Sequence, residues 1–419
     1  MLISKRRFRR NYLRPILFVL LFVFAIDAIL LIRRRPDTYR THPSVDRRSS
    51  FSPSGNTSVF IASVHRNTEL IQKSAWNQAV LDLVDYFGAE NVHISAIESG
   101  SQDETKEALM DLKAALDQRS TSNTISLGMT VWEQLEEIDT RPPPGAREPG
   151  WIWNVAEGQF ELRRIPYLAK VRNQAMEPLK QLESEGRKFD KVLWLNDVVF
   201  DTEDIVTLFN TRDNKYAAAC SMDYKVSPLY YDTFALRDDM GLKTISLYWP
   251  WFQSPIARAS AERNAPIRVT SCWNGIVAFD STPFYANPPL QFRGIDDTLA
   301  DLHLEGSECC LIHADNYLSA EKGVWLNPNV RVGYNVKAYY QIRTNRFPNP
   351  FWTVVGAWVN RANSWHVALQ SRLENRVVHS RIEQWKLETP DGDLPRYEPG
   401  EACLINEMQI MWSNGWKHL

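Results

Sequence analysis

The sequence predicts an α/β fold, because short apolar runs alternate with longer segments of helical periodicity. Residues 58–62 and 92–97 are typical of buried strands, and residues 69–87 and the segment after Ser101 are typical of helices. Strands and helices that alternate in this way open a right-handed parallel sheet. A third strand is expected over residues 191–195.

The elements between and beyond these strands follow from the same patterns. Residues 101–104, Ser-Gln-Asp-Glu, have the form of a capping box and would open the second helix. A further helix is expected over residues 165–182, a short one from Asp201, and a buried strand over 217–221. Residues 222–345 show no clear periodicity, so we expect this region to be irregular.

The N-terminal segment is the clearest domain signal. Residues 15–32 are apolar except for Asp27, and their number is near the minimum for a membrane-spanning helix. The basic cluster before this segment is larger than the one after it, which predicts a cytosolic N-terminus and a lumenal remainder. No small-residue cleavage site follows, which favours a signal anchor over a cleaved signal peptide.

The expected organisation follows from that anchor. It comprises a cytoplasmic tail (1–14), a transmembrane anchor (15–32), a polar stem (33–56), a catalytic domain (57–345) and a C-terminal extension of that domain (346–419). The triplet Asn56-Thr57-Ser58 is a glycosylation sequon that fits a lumenal stem.

Composition narrows the choice of partners. The first 50 residues contain 12 Lys and Arg but only three Asp and Glu, so the rest of the chain is acidic overall. An acidic catalytic portion argues against a nucleic-acid partner. The five cysteines permit disulfides in a lumenal domain, but their odd number leaves at least one thiol free or paired between chains. No Cys/His spacing suggests zinc.

The most informative segment is Asn196-Asp197, at the carboxyl end of the strand over residues 191–195. Ligands bind at that end of open α/β sheets. An acid there is costly to bury unless it is hydrogen-bonded or binds a cation. One chemistry that needs this arrangement is the binding of a metal–diphosphate pair, as in sugar-nucleotide transferases. Asp197, with two diphosphate oxygens and water, can hold Mn²⁺ or Mg²⁺. Asn196 would then help to bind the sugar-nucleotide donor. The alternative is a plain turn, which Asn and Asp also favour.

Two further segments are candidates for binding a nucleotide. Glu98 follows the second strand, where its carboxylate can accept hydrogen bonds from a nucleobase edge. A plain helix cap is the alternative for this segment. Arg172 and Asn173 lie in the helix over residues 165–182, and an arginine near the cleft can bind a diphosphate in bidentate fashion. A surface ion pair is the commoner fate of a helical arginine.

The later segments supply candidates for catalysis and acceptor binding. Asp232 and Glu308 are candidate catalytic carboxylates, and Glu308 can act as the acceptor base or stabilise positive charge at the anomeric carbon. Trp273-Asn274 can present a ring and an amide to an acceptor sugar. His313 can be a further metal ligand, although a lone histidine is more often structural. Beyond residue 340 the tail shows no readable chemistry, though its tryptophans could cover the acceptor site.

Together these segments resemble one family, the fungal α-1,3-mannosyltransferases of the cryptococcal type, grouped with the capsule-associated proteins. The resemblance covers roughly residues 57–340. The matching stretches are Glu98-Ser-Gly-Ser, Leu168-Ala-Lys-Val-Arg-Asn173, Val192-Leu-Trp-Leu-Asn-Asp-Val-Val-Phe200, Tyr216-Ala-Ala-Ala-Cys-Ser-Met-Asp223, Tyr231-Asp-Thr-Phe234, Ser271-Cys-Trp-Asn-Gly275, Ser307-Glu-Cys-Cys-Leu-Ile-His-Ala-Asp-Asn316 and Asn327-Pro-Asn-Val-Arg-Val-Gly-Tyr334.

This resemblance implies a GT-A-like, Rossmann-type nucleotide-sugar-binding fold and a single-pass type II Golgi membrane protein. It also implies a nucleotide-sugar donor such as GDP-mannose, a mannose-containing glycan acceptor, a divalent cation (Mn²⁺ or Mg²⁺) and retention of anomeric configuration. The usual metal motif of GT-A enzymes is Asp-x-Asp. Here Asn196-Asp197 supplies one carboxylate, which leaves open whether two carboxylates bind the metal.

The sequence also permits two other classes of function. One is a non-catalytic glycan-binding or capsule-assembly factor on a degenerate transferase fold; the intact carboxylates at Glu98, Asp197 and Glu308 argue against it. The other is a secreted glycosidase with two catalytic acids. That class explains neither the N-terminal anchor nor the β-α-β opening.

Overall fold

A computed structural model describes residues 14–34, 57–344, 347–390, 394–413 and 415–419. The predicted cytoplasmic tail up to residue 13, the stem from residue 35 to 56 and the sequon residue Asn56 lie outside these ranges. The helices of the described chain are α1 (Arg14–Arg34), α2 (Glu69–Ile71), α3 (Asn77–Phe87), α4 (Thr105–Gln118), α5 (Val131–Asp139), α6 (Arg164–Ser184), α7 (Thr202–Phe209), α8 (Pro255–Glu262), α9 (Asp297–Ala300), α10 (Glu308–Asp315), α11 (Leu318–Glu321), α12 (Val336–Ile342) and α13 (Pro350–Leu387).

The strands of the described chain form one large sheet and three small ones. They are β1 (Val59–His65), β2 (Val92–Glu98), β3 (Ser122–Leu127), β4 (Trp151–Asn154), β5 (Gln159–Leu162), β6 (Lys191–Leu195), β7 (Ala218–Val226), β8 (Leu229–Tyr230), β9 (Arg237–Asp238), β10 (Ile267–Ser271), β11 (Ile276–Asp280), β12 (Glu305–Gly306), β13 (Val324–Gly333), β14 (Leu404–Ile405), β15 (Gln409–Trp412) and β16 (Gly415–His418).

The large sheet has the order β3-β2-β1-β6-β11-β7-β13-β10-β9, with β8 beside β7. Strands β3, β2, β1 and β6 are parallel, and β7 is parallel to β13. Strand β11 lies antiparallel between β6 and β7, so β6 and β7 still point the same way. The predicted α/β class is confirmed. The carboxyl ends of β2, β6 and β7 therefore meet at one edge of the sheet.

Side chains of each central strand alternate between two hydrophobic layers, as the period of two requires. In β6, Val192 and Trp194 pack into the layer that contains α6 and α13, whereas Leu193 and Leu195 pack against α3, α4 and α7. Burial on both faces explains why residues 192–195 contain no polar residue. The apolar run in the sequence is thus the signature of a central strand.

Two sequence-based expectations about elements were wrong. Residues 101–104 form no capping box: α4 begins at Thr105, and Glu104 caps it without a side-chain hydrogen bond. Ser101 Oγ instead accepts from Asn67 N at 3.0 Å, because this loop is bound to the loop after β1. Residues 222–345 contain β8 to β13 and α8 to α12. Their pattern is hidden because most of these elements are short, and β13 shifts register between Leu326 and Arg331.

The C-terminal segment is fastened to the rest of the chain at several points. The Cys310–Cys403 disulfide ties it to α10, β14 pairs with β12, and β15 forms a bridge to Arg163 through Ile410. A second disulfide joins Cys220 to Cys272, which leaves Cys309 as a free, buried thiol.

Helix α1 is long and apolar enough, over Pro15–Arg33, to cross a membrane, and its side chains are exposed to the surroundings of the protein. It contacts α13 through a Phe24–Trp358 ring pair at 5.2 Å. Asp27, the one acid in the segment, forms an ion pair with Arg361 at 2.5 Å. A helix of this kind can serve as a signal anchor.

A buried ion pair fixes the N-terminus of α6. The guanidinium of Arg163 donates to both carboxylate oxygens of Glu305, at 3.1 and 2.7 Å, and to Asp297 at 2.6 Å. Arg163 and Glu305 are fully buried. Two desolvated charges are tolerated here because the bidentate geometry compensates both, and removal of one partner would leave the other uncompensated.

We therefore expect Glu305→Ala to lower the free energy of unfolding by about 3–5 kcal/mol, measured by urea denaturation. The matched control is Asp301→Ala, which removes the partly exposed ion pair with Arg147. That change is expected to cost about 1 kcal/mol or less, because solvent screens the pair. Equal losses in the two variants would contradict this account.

Candidate functional site

The carboxyl end of β6 is held between β11 and β13. Asn196 N donates to Gly275 O at 2.9 Å, and Val199 exchanges backbone hydrogen bonds with Gly333 at 2.7 and 3.3 Å. Gly275 has φ +82°, and a Cβ there would lie 2.5 Å from Val332 and 3.3 Å from the Cβ of Asp223. Only glycine therefore lets Val332 of β13 approach this closely, next to Asp223 of β7.

Three aspartates surround this junction. Asp197 lies two residues after the end of β6 and is half-buried, whereas Asp223, in β7, is fully buried. Asp223 accepts from Asp232 N at 3.2 Å and from the hydroxyl of Tyr334 at 3.1 Å. Asn274 Nδ2 donates to Asp232 O at 2.5 Å, which draws residue 232 into the same cluster.

The electrostatics of the cluster are unfavourable for three ionised carboxylates. Burial raises the pKa of Asp197 to about 6 and that of Asp232 to about 6, and Glu308 raises the latter further. Burial, with the charge of Asp232, raises the pKa of Asp223 well above its ordinary value. Among the described residues no Lys or Arg forms an ion pair with Asp197, although Lys225 acts on it at longer range. Asp197 therefore lacks a paired positive charge, although Arg172 and Arg164 lower the pKa of Asp232.

A divalent cation would supply that charge, and the available ligand atoms suit a hard cation. They are the aspartate carboxylates, the amide oxygen of Asn196 and the Oδ1 atom of Asn274. The latter atom is buried and has no hydrogen-bond partner within the part of the chain that the structure describes. The residues present therefore fit Mn²⁺ or Mg²⁺.

Arg172 and Glu308 form a buried ion pair beside this cluster. Arg172 Nε donates to Glu308 Oε1 at 3.0 Å. The guanidinium carbon lies 4.7 Å from the ring centroid of Trp273, 5.4 Å from that of Trp194 and 5.7 Å from that of Phe292. Burial opposes the charge of Arg172, but the Glu308 carboxylate outweighs it and raises the pKa of Arg172. Arg172 thus packs against three aromatic rings, which orient its guanidinium toward Glu308.

Asn173 and Trp273 have structural partners. Asn173 Nδ2 donates to Phe292 O at 2.8 Å, and its Oδ1 accepts from Phe292 N at 2.9 Å, so this amide fixes the loop that carries Phe292. Trp273 is 2% exposed and donates from Nε1 to the side-chain oxygen of Asn196 at 3.2 Å. Trp273 therefore forms the floor beneath Arg172 and orients Asn196, and the predicted contacts of Asn173 with donor and of Trp273 with acceptor stay predictions.

Glu98 lies at the same edge of the sheet. Strand β1 pairs His65 with Glu98 and Ala62 with Trp194, so Glu98 is level with Asp197 two strands away, about 10 Å apart. Its carboxylate accepts from Ser101 N at 2.5 Å and forms an ion pair with Lys106 at 3.4 Å. Glu98 also borders a cavity of 370 Å³.

His313 is placed against the core. Its Nε2 atom donates to Cys272 O at 2.7 Å, and its ring stacks on Phe279 with 5.4 Å between the centroids. The nearby sulfurs of Cys220 and Cys272 are joined in a disulfide, so they offer no thiolate to a metal. The structure gives His313 none of the aspartates as a hydrogen-bond partner.

The chain matches one protein-family model over more than half of its length. The model described as Cryptococcal mannosyltransferase 1 matches residues 58–315. The chain belongs to this family. The resemblance inferred from the motifs is therefore confirmed, and membership supports glycosyl transfer as the activity. No curated protein sequence matches the chain.

Several solved structures are similar to the chain at low identity. The mannosyltransferase PcManGT from Pyrobaculum calidifontis, in complex with GDP-Man and Mn²⁺, is 10% identical with a TM-score of 0.36, over 89% of this chain and 85% of that one. TarS of S. aureus is 14% identical with a TM-score of 0.36, over 80% and 76%. The mannosyltransferase Ktr4p from S. cerevisiae, in complex with GDP, is 13% identical with a TM-score of 0.25, over 64% and 68%.

The candidate site contains residues whose sequence pattern predicts no role. Asp223 and Tyr334 lie within the matched or resembling stretches but were given no role, and Arg164 was overlooked. A signal for Asp223 was present: it ends the apolar run 216–222 as Asp197 follows the run 192–195. Tyr334 carried no comparable signal, because its position depends on the backbone bridge between Val199 and Gly333.

The buried histidine predicts how stability depends on pH. Burial lowers the pKa of His313 to about 4, whereas an unfolded histidine titrates near 6.5. Between these values the unfolded chain binds a proton that the folded chain does not, so stability falls as pH falls through this window. We expect His313→Gln to remove about 2 kcal/mol of that loss, measured by urea denaturation at pH 7 and pH 4.5.

The control is His366→Gln, which changes an exposed histidine. It should leave the difference between the two pH values unchanged. The same pH dependence in wild type and His313→Gln would contradict the assignment of a buried, neutral ring. Loss of Mn²⁺ binding in His313→Gln would instead restore the predicted ligand role.

Proposed function

We propose that the protein transfers mannose, or a similar sugar, from a nucleotide-sugar donor such as GDP-mannose to a mannose-containing glycan, forming an α-1,3 linkage with retention. Family membership supports glycosyl transfer. The observation that carries the proposal is the cluster of Asp197, Asp223 and Asp232 at the edge where ligands bind such sheets, with raised pKa values and no cation paired to Asp197 among the described residues.

The aspartate cluster is the proposed site of Mn²⁺ or Mg²⁺. Asp197 would bind the ion, with Asp223 or Asp232 as the second carboxylate that the Asp-x-Asp motif supplies elsewhere. When bound, the ion would neutralise the developing charge of the leaving nucleoside diphosphate. Asn274 holds Asp232 through its backbone oxygen, and Tyr334 holds Asp223, so both acids keep their positions when the donor leaves.

Glu98 is the proposed contact of the nucleobase. A carboxylate accepts two hydrogen bonds side by side, and the guanine edge offers two adjacent N–H donors. Lys106 and Ser101 N already hold the Glu98 carboxylate in place and stabilise its negative charge. The carboxylate is therefore oriented before the donor binds, which lowers the entropic cost of recognition.

Glu308 is the proposed group at the acceptor hydroxyl or the anomeric carbon. Arg172 and Cys309 both contact the Oε1 atom of Glu308, which leaves its Oε2 atom to accept a proton or to face a positive anomeric carbon. In this arrangement Arg172 positions Glu308; to bind the diphosphate as well it would have to use its other N–H groups. Asp232 is the second proposed catalytic carboxylate.

The N-terminal helix is proposed to anchor the protein in the Golgi membrane with the catalytic portion in the lumen. Its apolar length supports a single span, and the Asp27–Arg361 ion pair would lie near the lumenal end of that span. The two disulfides fit an oxidising compartment.

Replacement of the metal ligand tests the proposal most directly. We expect Asp197→Asn to abolish Mn²⁺ binding and to lower transfer from GDP-mannose at least about 100-fold. Mn²⁺ binding is measured from the EPR signal of the free ion. The control is Asp213→Asn, which changes an exposed aspartate outside the cleft. Full metal-dependent activity in Asp197→Asn would rule out its role, and glycan binding without turnover of any donor would favour the assembly-factor alternative.

The role of Glu308 predicts a different kinetic result. Glu308→Gln keeps the size of the side chain but removes its charge, so kcat should fall by about 10²- to 10⁴-fold while the KM for donor changes little. Circular dichroism and a thermal melt check that the variant is folded. A change confined to the KM for donor would contradict the assignment and place Glu308 in donor binding.

A further inference from the structure

The long helix α13 has an apolar stripe along one face. Because consecutive residues of an α-helix are about 100° apart, seven of its apolar side chains lie within about 40° of one line along the helix. They are Phe351, Val355, Trp358, Ala362, Trp365, Leu369 and Leu373. At 1.5 Å per residue, this outer stripe is about 33 Å long.

Packing of the opposite face fixes the direction of the outer stripe. Asn360 lies on that opposite face, is 4% exposed and donates from Nδ2 to Tyr248 O at 3.0 Å. A Cβ at Gly356 would lie 2.4 Å from Trp249 O, so the helix backbone approaches this loop closely. The helix therefore cannot rotate to bury the outer stripe against the rest of the protein.

The outer stripe is exposed over most of its length. The exposed fractions are 66% for Phe351, 39% for Trp358, 69% for Trp365, 50% for Leu369 and 52% for Leu373. Single exposed apolar residues are common, but a contiguous apolar surface of this length marks a site that binds a protein or a membrane.

The charges around the outer stripe are basic. Between residues 350 and 373 the helix contains two arginines and no acid, and Arg376 follows. Arg372 and Arg376 form no ion pair within the ranges that the structure describes, whereas Glu374 binds Lys243 at 2.7 Å on another face of the helix. Arginines beside an apolar surface can reach lipid phosphates while their aliphatic stems stay in apolar surroundings.

The proposed membrane span α1 indicates what covers this surface. Phe24 of α1 packs on Trp358 with 5.2 Å between the ring centroids, and Asp27 forms an ion pair with Arg361 at 2.5 Å. Both α1 residues lie within the apolar segment Pro15–Arg33. A bilayer that surrounds α1 at these residues therefore also reaches the outer stripe of α13.

We propose that α13 is a second membrane-binding element, whose outer stripe lies about 5–10 Å deep at the boundary between headgroups and acyl chains. The arginines beside the stripe bind lipid phosphates, and Trp365 lies at the level of the headgroups. This inference rests on the proposed span α1 but not on the proposed transferase activity. It places the catalytic domain directly against the membrane surface.

The test attaches a nitroxide spin label to the full-length protein in phosphatidylcholine vesicles. Leu369→Cys places the label on the outer stripe, and Leu70→Cys is the control, because Leu70 is an 84% exposed leucine of α2. The native thiol Cys309 is buried and does not compete for the label. Thermal melts check that the labelled variants are folded.

The readout is relaxation of the label by dissolved oxygen and by a water-soluble nickel chelate. Oxygen partitions into lipid, whereas the polar chelate stays in water. We therefore expect the ratio of oxygen relaxation to chelate relaxation to be at least about three-fold higher at residue 369 than at residue 70. Equal, water-like ratios at the two positions would refute the inference.

A third label, introduced by Leu20→Cys, reports separately on α1. If residue 20 lies in lipid and residue 369 in water, the anchor stands and the inference fails. If residue 369 lies in lipid and residue 20 does not, the proposed span fails and the membrane-binding stripe is supported by itself. Exclusion of both relaxing agents from residue 369, with dipolar broadening between labels, would show a second copy of the chain on the stripe and overturn lipid as its partner.

Discussion

Two buried ion pairs between one helix and one segment fix the geometry of the cleft. Arg163, directly before α6, binds Glu305 of β12, and Arg172 of α6 binds Glu308, the first residue of α10. Charges in such surroundings are stabilised only when their partners are correctly placed, so each pair strongly restricts the relative position of its two elements. The two glutamates lie three residues apart in the sequence and the two arginines nine. The two pairs therefore also fix the direction in which α10 runs past α6.

The same logic explains why one side of the cleft has excess negative charge. Arg172 forms an ion pair with Glu308 and is enclosed by the rings of Trp194, Trp273 and Phe292. Its positive charge therefore offsets the charge of Glu308 more than that of the aspartates. Asp197, Asp223 and Asp232 are left with raised pKa values. Carboxylates that Asn196-Asp197 lacks at the adjacent sequence position are present at Asp223 in β7, two strands from β6, and at Asp232 in the loop after β8. The sheet order, with β11 between β6 and β7, is what brings them there.

Prediction from the sequence succeeded where one element carried its own signal. Strand β6 could be recognised because burial on both faces excludes polar residues, and helix α6 because its apolar stripe is long. Strand β13 could not, since Asn327, Pro328 and Asn329 interrupt its apolar pattern where the register shifts. Partners were harder still: the contact of Asn173 with Phe292 joins residues 119 positions apart. No local pattern records such a contact.

The C-terminal tail shows the same limit and adds a consequence. The Cys310–Cys403 disulfide begins two residues after Glu308, β14 pairs with β12 beside Glu305, and Gln409 binds Arg164. Each link connects the tail to a residue that builds the cleft or to its direct neighbour. The contacts that hold the tail in place are therefore energetically coupled to those that position Glu308, because displacement of either segment strains the contacts of the other. A change in the tail would then act on the cleft through α10 and the start of α6, even when it touches neither Asp197 nor Glu98.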